Sequence, residues 1–396
     1  MSGVSGGLTG CRWDWNVAEW AAGGPSRSLN YLHPTQMKAR LLGTGRALPG
    51  EDVAGYLLDN IELAALMNEV RERLAIEAPD QVVLPSDPEF PERRLGVKSR
   101  RILDSSLNVK DLAVAAARSA FEDSGVAAKS IGAVFVNTTT PYGLAPSTAS
   151  AVHDALGLEE DVVAYDQSLG CNGSLGCMYA AEGAVGRNPN RPNVLTVSSE
   201  FMTSALDASD RTTMPVCGDG AGAAVYGPPE REGLSNVWMA TRGSSAENIT
   251  LYPVPGTRPV YRIRARDGKA YVEADTIHRY AMKMEGREVF KDMVRLLPPR
   301  IEAYAQRAGV DLDDIDLFLF HQANERMIDA MGQRLIGQGV GERIPAHVET
   351  LGNTSSATVP ILLDQVRKNG SFGPGKRALL CAFGTGYSMG MTLLYG

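Results

Sequence analysis

The chain has 396 residues, of which 44% are hydrophobic and 21% charged, and a formal net charge of −7. Its length predicts two halves or one large duplicated unit, and its negative charge argues against nucleic acid as a partner. With no apolar run of about 18 residues and no signal peptide, we expect a cytoplasmic protein without a membrane span. Five cysteines without a CxxC pair and five scattered histidines predict neither a disulfide framework nor a metal site.

Residues 1–36 differ in composition from the rest of the chain. They are rich in glycine and serine and contain Trp13, Trp15 and Trp20, three of the four tryptophans. Two interpretations fit: this N-terminal extension is an artefact of an upstream start site, or it is an arm that packs through its indoles. From Met37 the stretch "KARLLGTGRALPG" is apolar and closed by turn residues, which predicts the first core strand.

The following residues alternate between predicted helices and strands. Residues 56–76 and "KDLAVAAARSAFEDSG" have the composition or spacing of helices, "IGAVFVNTTT" is typical of a buried strand, and Pro146 and Ser147 open another helix. Between the first two helices, "PERRLGVKSRR" carries five cations and one acid. It is either a solvated loop or a binding site for phosphate groups or an acidic carrier protein.

A second cycle of strands and helices occupies the remainder. It has a long helical tract near 276–308, the strand "IDLFLF", helices from about Ala323 and after Asn353, and the strands "RALLCAF" and "SMGMTLLY". Two such cycles predict two similar α/β halves, residues 37–228 and 229–396, that form one body with a layered core.

Two cysteines follow the strand "DVVAYDQ" in "SLGCNGSLGC". Cys171 lies where the strand turns into a helix, so the positive end of the helix dipole is expected to favour its thiolate and lower its pKa. Gly170 and Gly173 permit a sharp turn and close approach of a substrate. Cys177 lies deeper in the helix, where a cysteine is usually a small buried hydrophobe.

A nucleophilic cysteine needs partners, and two candidates lie in the second half. "LFLFHQAN" places His321 at the end of an apolar strand, and "LGNTSSATVP" places Asn353 at the start of a helix. Alone, the histidine could be a satisfied structural residue and the asparagine a helix cap. "FGTGYSMG" is a glycine-rich turn between two strands, which by itself indicates little.

Five motifs together are specific: "YDQSLGCNG", "GDGAGAAVYG", "HQAN", "GNTSSATVP" and "FGTGYSMG". In this order they resemble ketoacyl synthase III of the thiolase superfamily, over about residues 38–396. The resemblance implies an α/β thiolase-like fold with two similar βαβαβ halves in a five-layered α-β-α-β-α arrangement. It further implies a homodimer without a tightly bound cofactor that acts on thioesters of coenzyme A, acyl carrier protein or both.

The resemblance implies a catalytic triad of Cys171, His321 and Asn353. The cysteine takes an acyl group from a thioester. Backbone N–H groups of Cys171 and of Thr385, which follows Gly384 in the glycine-rich turn, stabilise the oxyanion. A malonyl-type thioester then loses carbon dioxide, and His321 Nε2 and the Asn353 amide donate hydrogen bonds to the enolate oxygen. The product is a β-ketoacyl thioester.

Further roles follow from the same resemblance. Arg94 and Arg211 take positions that contact coenzyme A, and Phe90 takes that of a tryptophan that stacks on adenine. Arg326 corresponds to a position implicated in docking of the carrier protein, and Asn324 is expected to support a water near His321.

Some residues depart from the family pattern. Ala145 and Cys217 stand where housekeeping members often carry bulky aromatics in the acyl pocket, which predicts a wider pocket for a larger or branched acyl group. Thr385 replaces a glycine, "SLGCNG" replaces the more usual motif around the cysteine, and the insertion near 51–88 is longer. Together these features favour a specialised pathway, such as polyketide or other secondary metabolism, over bulk fatty acid initiation.

Three alternatives stay open. A degradative thiolase needs a second catalytic cysteine, but Cys381 is one residue from the required position, and a one-residue shift on a strand turns a side chain to the opposite face. An acyl-Cys171 enzyme could instead transfer its acyl group to a hydroxyl or amine, or condense two acyl chains without decarboxylation. A silent partner subunit would typically have lost the cysteine, histidine or asparagine.

Overall fold

The computed structural model of the protein describes residues 37–230, 232–254, 259–337 and 340–396, with side chains described from residue 342 in the last range. The N-terminal extension, residues 1–36, lies outside the described residues, so both interpretations of it stay predictions. Within the described ranges no helix is long and apolar enough to cross a membrane. No group of three or more metal-binding side chains is found there either.

The strands and helices are numbered in chain order among the described residues. The strands are β1 (Arg40–Ala47), β2 (Gly55–Asp59), β3 (Ser99–Leu103), β4 (Ile131–Asn137), β5 (Val163–Gln167), β6 (Asn193–Glu200), β7 (Gly220–Gly227), β8 (Gly233–Leu234), β9 (Trp238–Thr241), β10 (Ile249–Pro253), β11 (Val260–Arg266), β12 (Lys269–Asp275), β13 (Tyr280–Met284), β14 (Leu317–Phe320), β15 (Arg377–Gly384) and β16 (Ser388–Tyr395). The helices are α1 (Asn60–Glu77), α2 (Phe90–Leu95), α3 (Val109–Ser124), α4 (Thr148–Ala155), α5 (Gly173–Ala184), α6 (Gly286–Arg307), α7 (Glu325–Ile336), α8 (Val340–Arg343), α9 (Val348–Leu351) and α10 (Thr358–Lys368).

Two large sheets organise the molecule. The first has the strand order β1-β7-β6-β4-β5, in which β4 is parallel to both β5 and β6, and β7 is antiparallel to its two neighbours. The second has the order β14-β15-β16-β8, with β9 also paired to β16. Its β14 and β15 are parallel, and the remaining pairs are antiparallel. The first sheet draws on residues 40–227 and the second on residues 233–395.

Apolar packing arranges these sheets and helices in five layers. The buried faces of α5 and α10 contact both sheets in one cluster, which includes Leu175, Leu362, Phe135 and Leu380. The outer face of the first sheet is covered by α3 and α4, and that of the second by α6 and α7. The predicted five-layered thiolase-like fold is therefore confirmed.

Local signals explain where the helices begin and end. Asn108 and Asp111 form a reciprocal capping box at the start of α3, and Gly125 ends it with a φ of 65°. The predicted helix at 56–76 begins later, because Gly55–Asp59 pairs with β3 and Asp59 then caps α1. The predicted start of the helical tract near 276–308 was also wrong, since Tyr280–Met284 is a strand that pairs with β10.

Candidate active site

Cys171 lies in a short 3₁₀ turn, Gly170–Asn172, directly before α5. The backbone of Gly170 has a φ of 55°, and a Cβ on it would come within 2.4 Å of Thr385 Oγ1. Conversely, a Cβ on Gly384 would lie 2.6 Å from the Cys171 backbone nitrogen. The cysteine turn and the C-terminal glycine turn thus pack backbone against backbone, and only glycine fits at the two contact positions.

The thiol of Cys171 is buried, with 8% of the residue exposed, and its Sγ lies 3.5 Å from Ser355 Oγ. Burial is the main cause that raises the pKa of this thiol to about 12; the hydrogen bond with Ser355 acts to lower it, and the nearby Glu200 carboxylate acts to raise it. The predicted lowering of this pKa by the helix dipole is therefore wrong for the free enzyme. Removal of water penalises the thiolate more than the helix terminus favours it.

His321 follows β14 and is held from several sides. Its backbone N–H donates to Cys381 O at 2.8 Å, and its ring packs edge-on against Phe383 with centroids 5.2 Å apart. Its Nδ1 lies 2.7 Å from Thr358 Oγ1, whose hydroxyl in turn donates to Ser355 O at 3.0 Å.

These hydrogen bonds decide the tautomer of His321. Since the Ser355 carbonyl can only accept, the Thr358 hydroxyl donates to it, and His321 Nδ1–H donates to Thr358. Nε2 then carries a lone pair, and burial lowers the pKa of this imidazole to about 3. The predicted hydrogen bond from Nε2 to the enolate oxygen therefore requires the proton to move from Nδ1 to Nε2. The Thr358 hydroxyl allows this change by turning to donate to Nδ1.

Asn353 is fixed through both its backbone and its side chain. Its backbone N–H donates to Val216 O at 2.8 Å, and its Oδ1 accepts the backbone N–H of Ser355 at 2.8 Å. This orientation turns the Nδ2 amino group away from Ser355. Nδ2 makes no hydrogen bond to the described part of the chain, so it is available as a donor to a bound molecule.

Cys171, His321 and Asn353 all line one cavity of about 410 Å³. Its walls are mainly apolar and include several flexible methionines, which suit a slender acyl or pantetheine chain. The apolar wall residues include Val216, Ile249, Met282, Met284, Val289, Phe290, Met327 and Phe383. Three arginines lie at the cavity's exposed rim: Arg94, Arg287 and Arg326.

The predicted binding residues occupy this rim or lie beside it. Phe90 and Arg94 belong to α2, and the Arg94 guanidinium makes neither a hydrogen bond nor an ion pair with any described residue. Arg211 does not line the main cavity; its guanidinium lies 6.0 Å from the Phe90 ring centroid, and both residues line a small neighbouring pocket. Arg326 donates to the Arg93 carbonyl at 3.1 Å, and this hydrogen bond links α7 to the cation-rich stretch "PERRLGVKSRR".

Two other predictions are modified by the structure. Asn324 lines the cavity, but its Oδ1 accepts the Met327 N–H at 2.9 Å and caps α7, so this oxygen is already engaged. The proposed acyl-pocket residues do not line the cavity within one chain. Ala145 is exposed on the loop that precedes α4, and Cys217 is buried and forms an isolated parallel β-bridge with Asn353.

The other described cysteines are structural in their surroundings. Cys177 packs in the central apolar cluster, as predicted, and Cys381 in the cluster beneath α6 and α7. Burial raises the pKa of both thiols to about 12. Cys381 does not line the active-site cavity, in agreement with the argument against a second catalytic cysteine.

Sequence reasoning missed the polar groups beneath Cys171. Glu200, the last residue of β6, is fully buried and accepts hydrogen bonds from Ser355, Ser356 and Thr139. An acidic residue closing the apolar stretch "NVLTVSSE" is a signal that could have found it, because a buried carboxylate demands hydrogen-bond donors.

Comparison with known proteins agrees with this geometry. Two family profiles match: 3-oxoacyl-[acyl-carrier-protein (ACP)] synthase III over residues 165–243, and the C-terminal part of the same family over residues 305–395. A β-ketoacyl-[acyl-carrier-protein] synthase III of Nitratidesulfovibrio vulgaris is 33% identical over 325 residues, which cover 82% of this chain and 95% of the relative.

Solved structures give the same result. The synthase III of Thermus thermophilus is 30% identical with a TM-score of 0.73, over 90% of this chain and 99% of that chain. The priming β-ketosynthase of a polyketide biosynthetic pathway is 29% identical with a TM-score of 0.75, over 91% and 97% of the two chains. This chain therefore belongs to the 3-oxoacyl-[acyl-carrier-protein] synthase III family of the thiolase superfamily and is an acyltransferase of the condensing type.

Proposed function

We propose that this enzyme loads an acyl group onto Cys171 and condenses it, with loss of carbon dioxide, with a malonyl-type thioester. The observation that carries the proposal is the shared cavity: the thiol, the imidazole of His321 and the amide of Asn353 come from distant parts of the chain and line one apolar channel. Such convergence of a nucleophile with polar groups in a largely apolar cavity is what acyl transfer requires.

Acylation is the first step. The Cys171 sulfur attacks the thioester carbonyl, the thiol proton leaves, and the expelled thiol of the donor takes up a proton. The backbone N–H groups of Cys171 and Thr385 stabilise the negative charge on the carbonyl oxygen. Close packing of Gly170 against Thr385 and of Gly384 against Cys171 supports this pairing, because it brings the two amides to one junction.

Condensation follows at the same sulfur. Loss of carbon dioxide from the extender leaves an enolate, whose oxygen accepts a hydrogen bond from Asn353 Nδ2. His321 supplies the second donor when its proton is on Nε2. The enolate carbon then attacks the acyl-Cys171 carbonyl and releases the β-ketoacyl product. The fixed Oδ1 of Asn353 supports this role, since it holds Nδ2 in one orientation.

The rim suits a phosphorylated or acidic carrier. Thioesters of coenzyme A and of acyl carrier protein both bring phosphate to the end of a pantetheine arm, and the carrier adds acidic residues. Arg94, Arg287 and Arg326 place positive charge where such an arm would enter, and Phe90 offers an apolar face beside Arg211.

We further propose a larger or branched acyl group and a place in secondary metabolism, such as polyketide priming. The likeness to a priming β-ketosynthase is compatible with this assignment, and Cys217 and Ala145 are smaller than the aromatics expected at their positions, although neither lines the cavity within one chain. Ala145 contributes to an acyl pocket only if its exposed loop reaches a partner subunit.

A homodimer is proposed from the exposed surface around β5. This strand is an edge of the first sheet, and its Val163 and Tyr165 are 56% and 43% exposed. Leu144, which precedes β5 in the chain, is fully exposed, and Tyr142 and Tyr179 are also exposed. An apolar edge strand is a site for pairing with a second copy, which would extend the sheet across the dimer.

The test is incubation of the enzyme with a panel of acyl thioesters, with and without malonyl thioesters, followed by intact-mass analysis and measurement of released carbon dioxide. We expect an acyl adduct on Cys171 and release of carbon dioxide with the β-ketoacyl product. An adduct without carbon dioxide release would favour transfer to a hydroxyl or amine, or non-decarboxylative condensation. The absence of any adduct would contradict the proposal.

A further inference from the structure

Ser355 connects the members of the active site. Its backbone N–H donates to Asn353 Oδ1, and its carbonyl accepts from Thr358, the residue that holds the His321 ring. Its hydroxyl faces the Cys171 sulfur. One serine therefore orients two groups of the triad through its backbone and contacts the third through its side chain.

The backbone of Ser355 is in an unusual conformation. Its φ of 52° lies in the left-handed region, which is strained for a non-glycine residue. This conformation directs the hydroxyl between two groups: Cys171 Sγ at 3.5 Å and Glu200 Oε1 at 3.3 Å. The single hydroxyl hydrogen points to the carboxylate, so the oxygen is left to accept the thiol hydrogen.

Glu200 is built to carry negative charge without a cation. Its Oε1 accepts the hydroxyls of Ser355 and Ser356, the latter at 2.6 Å. Its Oε2 accepts both the backbone N–H and the hydroxyl of Thr139, at 2.9 and 2.6 Å. No lysine or arginine among the described residues forms an ion pair with it. Four hydrogen-bond donors therefore surround a fully buried carboxylate, which can accept a proton without contact with bulk water.

We propose that Ser355 and Glu200 form a proton relay for the acylation of Cys171, an inference that rests on the proposed nucleophilic role of this cysteine. As the sulfur attacks the thioester carbonyl, the S–H proton passes to Ser355 Oγ, and the Ser355 hydroxyl proton passes to Glu200. When the tetrahedral intermediate collapses, the C–S bond to the donor breaks and the departing thiolate recovers the proton. Atoms and charge balance without another reactant.

His321 is the competing acceptor. The titratable groups around the sulfur are Glu200, His321 and the Cys217 thiol, together with Cys171 itself. The hydrogen-bond partner of the sulfur is Ser355, and no hydrogen bond joins it to the His321 ring within the described structure. Burial lowers the pKa of His321 to about 3 and raises the pKa of Glu200, so burial weakens the first as a base and strengthens the second.

The relay is tested with Ser355→Gly, because glycine accepts the left-handed backbone and keeps the N–H and carbonyl that orient Asn353 and Thr358. The hydroxyl is lost together with the Cβ that carries it. The matched control is Ser199→Ala, which removes a buried hydroxyl next to Glu200 in the chain that donates to the Val109 carbonyl and bonds to neither Glu200 nor the sulfur. The readout is the pre-steady-state rate of acyl-adduct formation from pH 5.5 to 9.5, alongside KM for the donor.

We expect Ser355→Gly to slow acylation about 100-fold at pH 7 with little change in KM, consistent with the ordinary effect of general-base catalysis. The acylation rate of this variant should rise about tenfold per pH unit, because the thiol must then lose its proton directly to water. The control should stay within about threefold of the native enzyme. Ser355→Gly with a native rate and pH profile would overturn the relay.

Glu200→Gln separates the relay from other effects of Ser355. It should reproduce the loss and the pH profile of Ser355→Gly, and the double variant should be no slower than either single variant, since both remove one path. Fully additive losses would contradict the inference. Should Glu200→Gln fail to fold, Ser355→Gly still decides. If the native enzyme forms no adduct on Cys171, the proposed function fails; if the adduct forms normally in Ser355→Gly, only the relay fails.

Discussion

The floor and the rim of the active-site cavity are built in different ways. On the floor, the buried side chains or backbones of His321, Asn353 and Ser355 are fixed by hydrogen bonds of 2.7 to 3.0 Å, and the Cys171 sulfur lies 3.5 Å from the Ser355 hydroxyl. At the rim, Arg94, Arg287 and Arg326 are exposed.

This difference teaches where chemistry and where recognition reside. In low dielectric surroundings each polar contact is strong and each side-chain orientation is defined. Removing a group from the floor should therefore lower mainly the rate of the chemical steps. Exposed charges act through a screened field on a mobile partner, so a lost group at the rim should be felt mainly in KM. The following predictions test that division, from the largest effect to the smallest.

Replacing the nucleophile should have the largest effect. Cys171→Ser should lower acylation at least about 1,000-fold, because a hydroxyl is a much weaker nucleophile than a thiol near neutral pH. Stopped-time intact-mass analysis of the acyl adduct measures this loss. Cys177→Ser serves as the matched control, and an adduct that forms normally on Cys171→Ala would place the acyl group on another residue.

Asn353→Ala should separate the two half-reactions. We expect condensation to fall about 100- to 1,000-fold, the usual effect of removing one donor to a developing oxyanion, with acylation reduced far less. Acyl-adduct formation and carbon dioxide release are measured separately. Equal loss in both would remove the enolate role, and a thermal melt checks that the Ser355 N–H, which loses its acceptor, does not unfold the site.

Burial of His321 predicts a pH-dependent contribution to stability. Its pKa is lowered to about 3 in the folded protein, against an ordinary value of 6.5. Between these values the unfolded chain binds the additional proton, so this contribution is complete above about pH 6.5 and is lost as the pH falls towards 3.

The measurement is the free energy of unfolding by urea at pH 6.5, 5.5 and 4.5 for the native protein and for His321→Gln. The difference between them should shift by up to about 1.4 kcal/mol per pH unit, with the native protein losing more on acidification. Taking the difference isolates this histidine from Asp219, whose pKa is raised to about 6 by burial and which changes stability in the opposite direction. A pH-independent difference would mean that the folded imidazole titrates normally.

The rim should give the smallest effect. Arg94→Ala should raise KM for the carrier about three- to tenfold, leave the rate at saturation nearly unchanged, and weaken the dependence of KM on salt. Steady-state kinetics between 50 and 300 mM salt provide the comparison. Arg118→Ala on α3, outside the cavity lining, is the matched control. An unchanged KM, or an equal response in the control, would remove Arg94 from carrier binding.

The triad was predicted from the resemblance carried by the five motifs, because the local position of each member alone left a structural role open. Cys171 follows a strand between two glycines, His321 ends an apolar strand, and Asn353 precedes a helix. Strand and helix patterns predicted two α/β cycles with a layered core, because they depend on residues close together in the chain, whereas the order of the five layers came from the resemblance. Predicted helix boundaries were wrong where pairing with a neighbouring strand determines the local structure, as at Gly55–Asp59 and Tyr280–Met284.

Other features could not be predicted in this way. Nothing local to "SSE" or "GNTSS" indicates that Glu200 meets Ser355, which is 155 residues away. The position of Ala145 in the family pattern suggested a pocket residue, but its loop is exposed in the single chain. Whether a motif residue lines a cavity depends on how distant segments pack, which a single sequence read by pattern does not contain.

The sequence by itself determined the alternation of strands and helices, the glycine turns and the residues available for thioester chemistry. These depend on backbone preferences and on side-chain type. Only the tertiary structure decided the protonation of those residues. By excluding water around Cys171 and His321 it raises the pKa of one and lowers that of the other, and by its hydrogen bonds it selects the Nδ1–H tautomer. Solvation and partner geometry exist only once the chain has folded.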